Sequence, residues 1–416
     1  MAIAKTTVLS LAMFALVQAE DTPAREWAGG APQVEWSHLT GDWGGARTTL
    51  ADHGIVIEAT LVNEWSWVPR TGTDDGRTTG QRSQVNISAE LDIEQLLKLP
   101  KATVFVAYQY AGGDDAAVRV GDAQGWSNIS VEADIHQLSE LWYEQRLGTV
   151  GEDGDLIRLK AGKIDANGEF ATLPALGQFL NSSAGFSPTI FAMQSYPDPS
   201  VGVELFVQPL VGLTLGLGYH DASATTLGVK TGEQGASSFF DHGLTQDKVW
   251  FAQVQGEWTG GLAQVGGWLL QGDLTGFDGE LSDSTTGWYA LGQHAVWSEG
   301  EDRSITLVAQ VSGADDNLCD LSLHLAAGVW AQGLIPARAA DGLGLYITDV
   351  TFTDAEDGAG DRLVSATHET AIEVVYALQA TGWWLLRADA QYIRNPGGSQ
   401  EHSSAMVVAV RSDIAF

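Results

Sequence analysis

Cysteine is almost absent from this chain. Of its 416 residues only Cys319 is one, so no disulfide forms within the chain and a cysteine-rich zinc site is excluded. Basic residues are scarce as well: 21 Lys and Arg stand against 53 Asp and Glu, a formal charge of −32. That balance repels a phosphate backbone, so no nucleic-acid partner is expected. It speaks to field and solubility rather than to fold. No stretch reaches the roughly 20 apolar residues of a membrane helix. The nine histidines are scattered, without HExxH or i, i+4 pairing, so no metal site is expected. A GxSxG nucleophile elbow and a phosphate loop are missing too. The reading therefore assigns no catalytic residue, no cofactor and no metal.

Glycine (49) and tryptophan (15) are plentiful, which suits turn-rich β structure with aromatic bands. Residues 1–19 read as a secretory signal: Lys5, an apolar run Val8–Val17, and Val17-Gln18-Ala19 as a small-residue site with cleavage near Ala19. Residues 20–54 read as a loose leader with a short helix, Ala46–Asp52, capped by Thr40 or Asp42 and closed by Gly54. From Ile55 onward the hydrophobic period is two.

Sixteen strand candidates fill residues 55–416, from Ile55–Trp67 and Gln84–Leu97 to Ala405–Phe416. Leu386, Ala388, Ala390 and Tyr392 alternate with Arg387, Asp389 and Gln391. Met406, Val408, Val410, Ile414 and Phe416 share one face. Connections after even strands are mostly short, as at 98–101, 209–212 and 260–261. Those after odd strands are mostly long. Short turns at one end and long loops at the other predict an all-β fold, an antiparallel sixteen-stranded transmembrane β-barrel over 55–416 with the leader at the periplasmic end. A sheet in lipid must close to satisfy its backbone. A soluble sandwich also has many short strands, but it needs no such asymmetry.

Sixteen strands leave a lumen too wide for side chains alone to fill. Something must narrow it. Residues 165–199 form the one connection that reads as long and mixed enough, carrying Asp165, Asn167, Asn181 and Gln194 among Phe170, Phe179, Phe186, Phe191 and Tyr196. They are expected to fold inward as a constriction loop. On strand four, Glu140, Trp142, Glu144 and Arg146 alternate with Leu141, Tyr143 and Leu147, which points the charged set at the lumen. The expected constriction set is Trp142, Glu144, Arg146, Lys163, Asp165, Asn167 and Asn181: hydrogen-bonding groups, with the Trp142 ring as a flat face for a neutral polar ligand. An Arg–Glu–Lys network that only stiffens the wall is the alternative. Carboxylate pairs such as Glu140/Glu144 do not make a glycosidase, because a wet lumen gives no desolvation to raise one pKa.

Several motifs occur in a telling order. They are Gly41-Asp42-Trp43-Gly44-Gly45-Ala46-Arg47, then Leu141-Trp142-Tyr143-Glu144-Gln145, then Gly162-Lys163-Ile164-Asp165-Ala166-Asn167. Phe179-Leu180-Asn181-Ser182, Tyr196-Pro197-Asp198-Pro199 and Asn395-Pro396-Gly397-Gly398 follow. Together these resemble the carbohydrate-selective outer-membrane porins of the OprB type. The resemblance implies passive uptake of neutral sugars across the outer membrane of a Gram-negative bacterium, with outer-membrane lipid around the barrel. Phe416 resembles the C-terminal insertion signal read by the barrel-assembly machinery. A general cation-preferring porin and a secreted β-rich sugar-binding protein are the alternatives. A monomer and a homotrimer both remain open.

Overall fold

The computed structural model describes residues 32–416 except 74–75, 115, 132, 153, 229–246, 301 and 355–363. The signal stretch, its cleavage site near Ala19 and the start of the leader lie outside the described residues. The strands are β1 (Ile55–Arg70), β2 (Thr78–Asp92), β3 (Ala102–Asp114), β4 (Ile135–Leu147), β5 (Ile157–Ile164) and β6 (Ser200–Leu210). Then come β7 (Leu213–Asp221), β8 (Lys248–Trp258), β9 (Gly261–Thr275), β10 (Leu281–Glu299) and β11 (Arg303–Ala314). The last are β12 (Leu321–Gln332), β13 (Gly342–Phe352), β14 (His368–Thr381), β15 (Trp384–Arg394) and β16 (Ala405–Ala415). Each pairs antiparallel with its sequence neighbours, and β1 pairs with β16, so the sheet closes into a barrel. The sixteen-stranded expectation holds.

The second strand is shifted from the expected Gln84–Leu97: it starts earlier, at Thr78, and ends earlier, at Asp92. Residues Ile93–Leu97 are not strand but a helix, α2. Asp92 accepts a hydrogen bond from Gln95 N at 3.0 Å, and Lys98 ends the turn at φ 62°. A side chain that caps a backbone N–H stabilises a helix start, and here it outweighs the continuing apolar pattern.

Burial is inside out relative to a soluble protein. Leu205, Leu217, Val254, Val265, Leu307, Leu345, Ile347 and Val374 are exposed on the outer face. Glu64, Lys160, Glu373, Arg387, Arg411 and Asp413 are buried inside. Cross-strand pairs stabilise the closing seam. Glu64 of β1 lies opposite Arg411 of β16, and Arg411 Nη2 donates to its carboxylate at 2.6 Å. Arg387 and Asp413 pair beside them.

One rim carries mostly short connections, including α2 and residues 211–212 and 259–260; the other carries 115–134 and 165–199. The leader clasps the short-turn rim. Its helix α1 (Ala46–Asp52) is pinned where Asp42 Oδ1 accepts from Thr48 N at 2.8 Å. Leu39 N donates to Ala415 O at 2.8 Å, and Arg47 donates to the carbonyl oxygens of Ile57 and Phe416. Both strands of the closing seam, β1 and β16, are thereby held at this rim.

Candidate functional site: a lumen narrowed by two loops

The turn into the lumen begins at Gly162. Its φ of 145° belongs to the region glycine favours, and a Cβ there would sit 2.1 Å from Leu141 O. Asp165 then caps a single turn by accepting from Asn167 N at 3.0 Å. Ala166 N donates to Gln194 O at 2.9 Å, tying the two ends of the long loop together.

Between those ends the loop runs along the inner wall. A loop inside a barrel has no ladder of its own, yet its buried N–H and C=O groups need partners. Inward amides on four successive strands supply them. Gln253 of β8 accepts from Ala171 N, Gln264 of β9 from Thr172 N, and Gln293 of β10 from Ala175 N, each at 3.0 Å. Gln310 of β11 donates to Ser183 O at 2.8 Å. Glu373 of β14 accepts from Leu180 N at 2.6 Å and Asn181 N at 3.1 Å.

Aromatic side chains fasten the same arc. Phe170 packs on Phe206 and Phe251, with ring centroids 5.6 and 5.4 Å away. Phe179 packs on Trp330 and Tyr346. It sits over Gly344, where a Cβ would come within 2.6 Å of its ring. Phe191 meets Trp268 edge-on at 5.1 Å.

A second loop also enters, which the sequence reading did not expect. Asn128 N donates to Leu180 O and Ser182 N to Gly125 O, so residues 125–128 pack on the long loop. Gln391 donates to Trp126 O, and Ser127 donates to Glu64. Ala123 N and Gln124 N both donate to the Glu369 carboxylate. The narrowing is therefore shared between residues 123–130 and 165–199.

Charge is concentrated on the β4–β5 wall. Arg146 Nε donates to Glu144 at 2.7 Å, and Arg158 Nη1 to the other Glu144 oxygen at 3.0 Å. Arg158 Nη2 and Lys160 Nζ each reach Glu169 of the long loop at 2.7 Å. Burial alone would raise the Glu169 carboxyl. Lys160 and Arg158 outweigh it and hold the group well below the ordinary carboxylate range.

The seven expected constriction residues divide. Trp142 faces inward, but it offers no free face. Phe105 stacks on it at 5.0 Å, Lys160 Nζ stands 4.6 Å from its ring centre, and Nε1 donates to Glu140. It is 8% exposed, so it braces the wall and is no platform for a sugar ring. Glu144, Lys163 and Asn181 are buried with protein partners: Arg146 and Arg158, Gln137, and Ser183 and Gln391. Arg146, Asp165 and Asn167 are half-buried. Asn167 Nδ2 donates to the carbonyls of Phe170 and Gly185.

Sequence reasoning missed Arg158, Lys160, Glu169 and the glutamines. Each glutamine lies on the polar side of its strand, which the alternation shows. That they stand where the loop passes does not follow from alternation.

The comparisons agree with this architecture. The profile of the carbohydrate-selective porins, OprB family, matches residues 76–416. Porin B of Pseudomonas aeruginosa is 24% identical over 93% of this chain and 92% of its own length. A putative porin, QuiX, of Acinetobacter baylyi is 21% identical over 91% of this chain and 93% of its own. The high-pH structure of Pseudomonas putida OprB superposes with a TM-score of 0.78 at 20% identity, covering 92% of this chain and 99% of that one. With a family match over most of its length and the same closed barrel, the chain belongs to the OprB family of carbohydrate-selective porins, sugar-selective channels of the Gram-negative outer membrane.

Proposed function

We propose that neutral sugars diffuse passively along the β1–β4 side of the lumen, past an eyelet whose far side is the long loop. The observation that carries this reading is the uneven cover of the wall. From β8 to β14 the inward Gln253, Gln264, Gln310 and Glu373 are buried under the loop. Across the lumen, the inward Glu58, Thr60, Asn86, Ser88 and Gln109 stay half-buried. That open side offers hydroxyl, amide and carboxylate groups, which suit a hydrated polyol.

Asp165 and Asn167 are the contact residues kept at the eyelet from the expected set, joined by Arg158, while Arg146 runs from Glu144 to the short-turn mouth. Trp142, Glu144, Lys163 and Asn181 hold them in place. Each hydrogen bond to a sugar hydroxyl contributes only about 0.5–1.5 kcal/mol net. Such weak contacts admit a solute and still release it. No bond is made or broken in the passage. The exposed outer belt suits lipid, and the short-turn rim with its leader faces the periplasm after cleavage near Ala19.

Liposome swelling tests the reading. Neutral hexoses should enter faster than charged solutes of equal size, and shortening residues 166–196 should remove that preference. Equal rates in the intact protein would defeat it.

A further inference from the structure

We propose that the short-turn mouth of the barrel holds a second sugar station, distinct from the eyelet and built from Arg146, Thr103 and Glu90. It deepens the passage described above and rests on that reading. A cavity of about 410 Å³ opens at this mouth, within the roughly 300–1,000 Å³ of small-molecule sites. Its floor is the inward face of β2–β4. Its sides are α2 and, from the next turn, Thr149, Glu152 and Asp155.

Most polar groups around it are already committed. Asp92 caps α2 through Gln95 N. Glu94 accepts from Lys101 N at 2.9 Å. Lys101 Nζ donates to Asp155 at 2.6 Å and to Gly148 O at 3.3 Å. Glu152 is exposed at the outer edge.

Three groups inside are not committed. Arg146 spends Nε on Glu144, while its two terminal amino groups have no hydrogen-bond partner among the described residues. Its side chain is 32% exposed. Glu90 lines the same cavity and has no hydrogen bond among the described residues. Thr103 is only 8% exposed, lines the cavity, and its hydroxyl is likewise without a partner.

The open set is one guanidinium edge, one carboxylate and one hydroxyl, in a lining where Glu90, Asp92, Glu94, Glu152 and Asp155 outnumber Lys101 and Arg146. An anion would meet Glu90, and a cation would meet Arg146. A neutral polyol satisfies all three: its hydroxyls donate to Glu90 and accept from Arg146 and Thr103. A metal ion is a poor fit, since among the described residues no three His, Cys, Asp or Glu gather to hold one.

The placement suits transport. Glu169 of the long loop, Arg158, Glu144 and Arg146 form one hydrogen-bonded chain from the eyelet to this mouth. A sugar leaving the eyelet meets new partners before it reaches bulk water.

The test is single-channel recording on the full chain, oriented in a planar bilayer, with glucose added to one side at a time. Wild type should show a class of block events that follows glucose on the short-turn side. Thr103→Val and Glu90→Gln should each shorten those events about three- to tenfold, the effect of one hydrogen bond. Sugar-free conductance, which reports an intact barrel, and the events driven from the long-loop side should stay as they were. The station is refuted if both variants keep wild-type event durations from both sides. It is also refuted if glucosamine blocks more than tenfold better than glucose, which would mark an acidic cation site. Wild type with no glucose block from either side would sink the passage reading itself, and the station with it.

Discussion

Replacing Glu169 with Gln should unseat the long loop while the barrel stays closed. The Glu169 carboxylate is 8% exposed and takes hydrogen bonds from both Arg158 and Lys160. In Glu169→Gln the Lys160 ammonium, 2% exposed, loses its hydrogen bond to a carboxylate and is left with Glu204 3.9 Å away. Arg158 retains Glu144 at 3.0 Å. Removing one partner of a buried ion pair costs about 3–5 kcal/mol. The strand ladder does not include Glu169, so that cost falls on loop docking. It shifts the docked equilibrium by roughly two to four powers of ten. Single-channel recording should show larger, flickering conductance and lost sugar block. The double change Lys160→Met with Glu169→Leu removes both charges and should recover much of the quiet state, since an apolar pair can replace a buried ion pair at little cost. The acid response follows the same group. Its folded pKa is depressed from 4.5 to about 2, so its stabilising contribution is complete above pH 4.5 and lost as the pH falls toward 2. Wild type should begin to flicker in that window, whereas Glu169→Gln should not change there. A Glu169→Gln channel with wild-type conductance, noise and sugar block would refute the reasoning.

Other residues give further checks. Gly344→Ala should push Phe179 off its seat, because the new methyl would lie 2.6 Å from that ring; Phe179→Leu in the same chain should restore the wild-type current trace. Arg411→Met breaks the buried pair with Glu64 at the β1–β16 seam. It should cost about 3–5 kcal/mol, read as a lower temperature for the folded-to-unfolded gel shift, and an unchanged shift would count against the seam argument. Burial pushes the Cys319 thiol up to about 11, so it should stay protonated and resist a maleimide at pH 8 until the protein is unfolded. Rapid labelling of the folded chain would contradict its burial.

Much of the barrel was legible in the sequence because a strand's side chains alternate with period two. Arg387, Asp389 and Gln391 had to face away from Leu386, Ala388, Ala390 and Tyr392, and lipid outside with water inside decides which set goes where. The lengths of the connections separated the two rims for a similar local reason. Ile93–Leu97 misled because Ile93, Leu96 and Leu97 continue an apolar run, while the hydrogen bond from Gln95 N to Asp92 that turns them into helix is a matter of three residues. The inward side of Trp142 was also legible. Its lack of a free face was not, since Phe105 and Lys160 belong to the strands on either side. The glutamines show the limit most plainly. Gln253, Gln264, Gln293 and Gln310 fall one on each of four successive strands, β8 to β11, and each looks like any other lumen residue. Only closure of the sheet, with its tilt and fixed stagger between strands, brings them to the path of residues 171–183. A loop without its own ladder then has its backbone satisfied by the wall, and where it lies sets which polar groups a sugar can still reach.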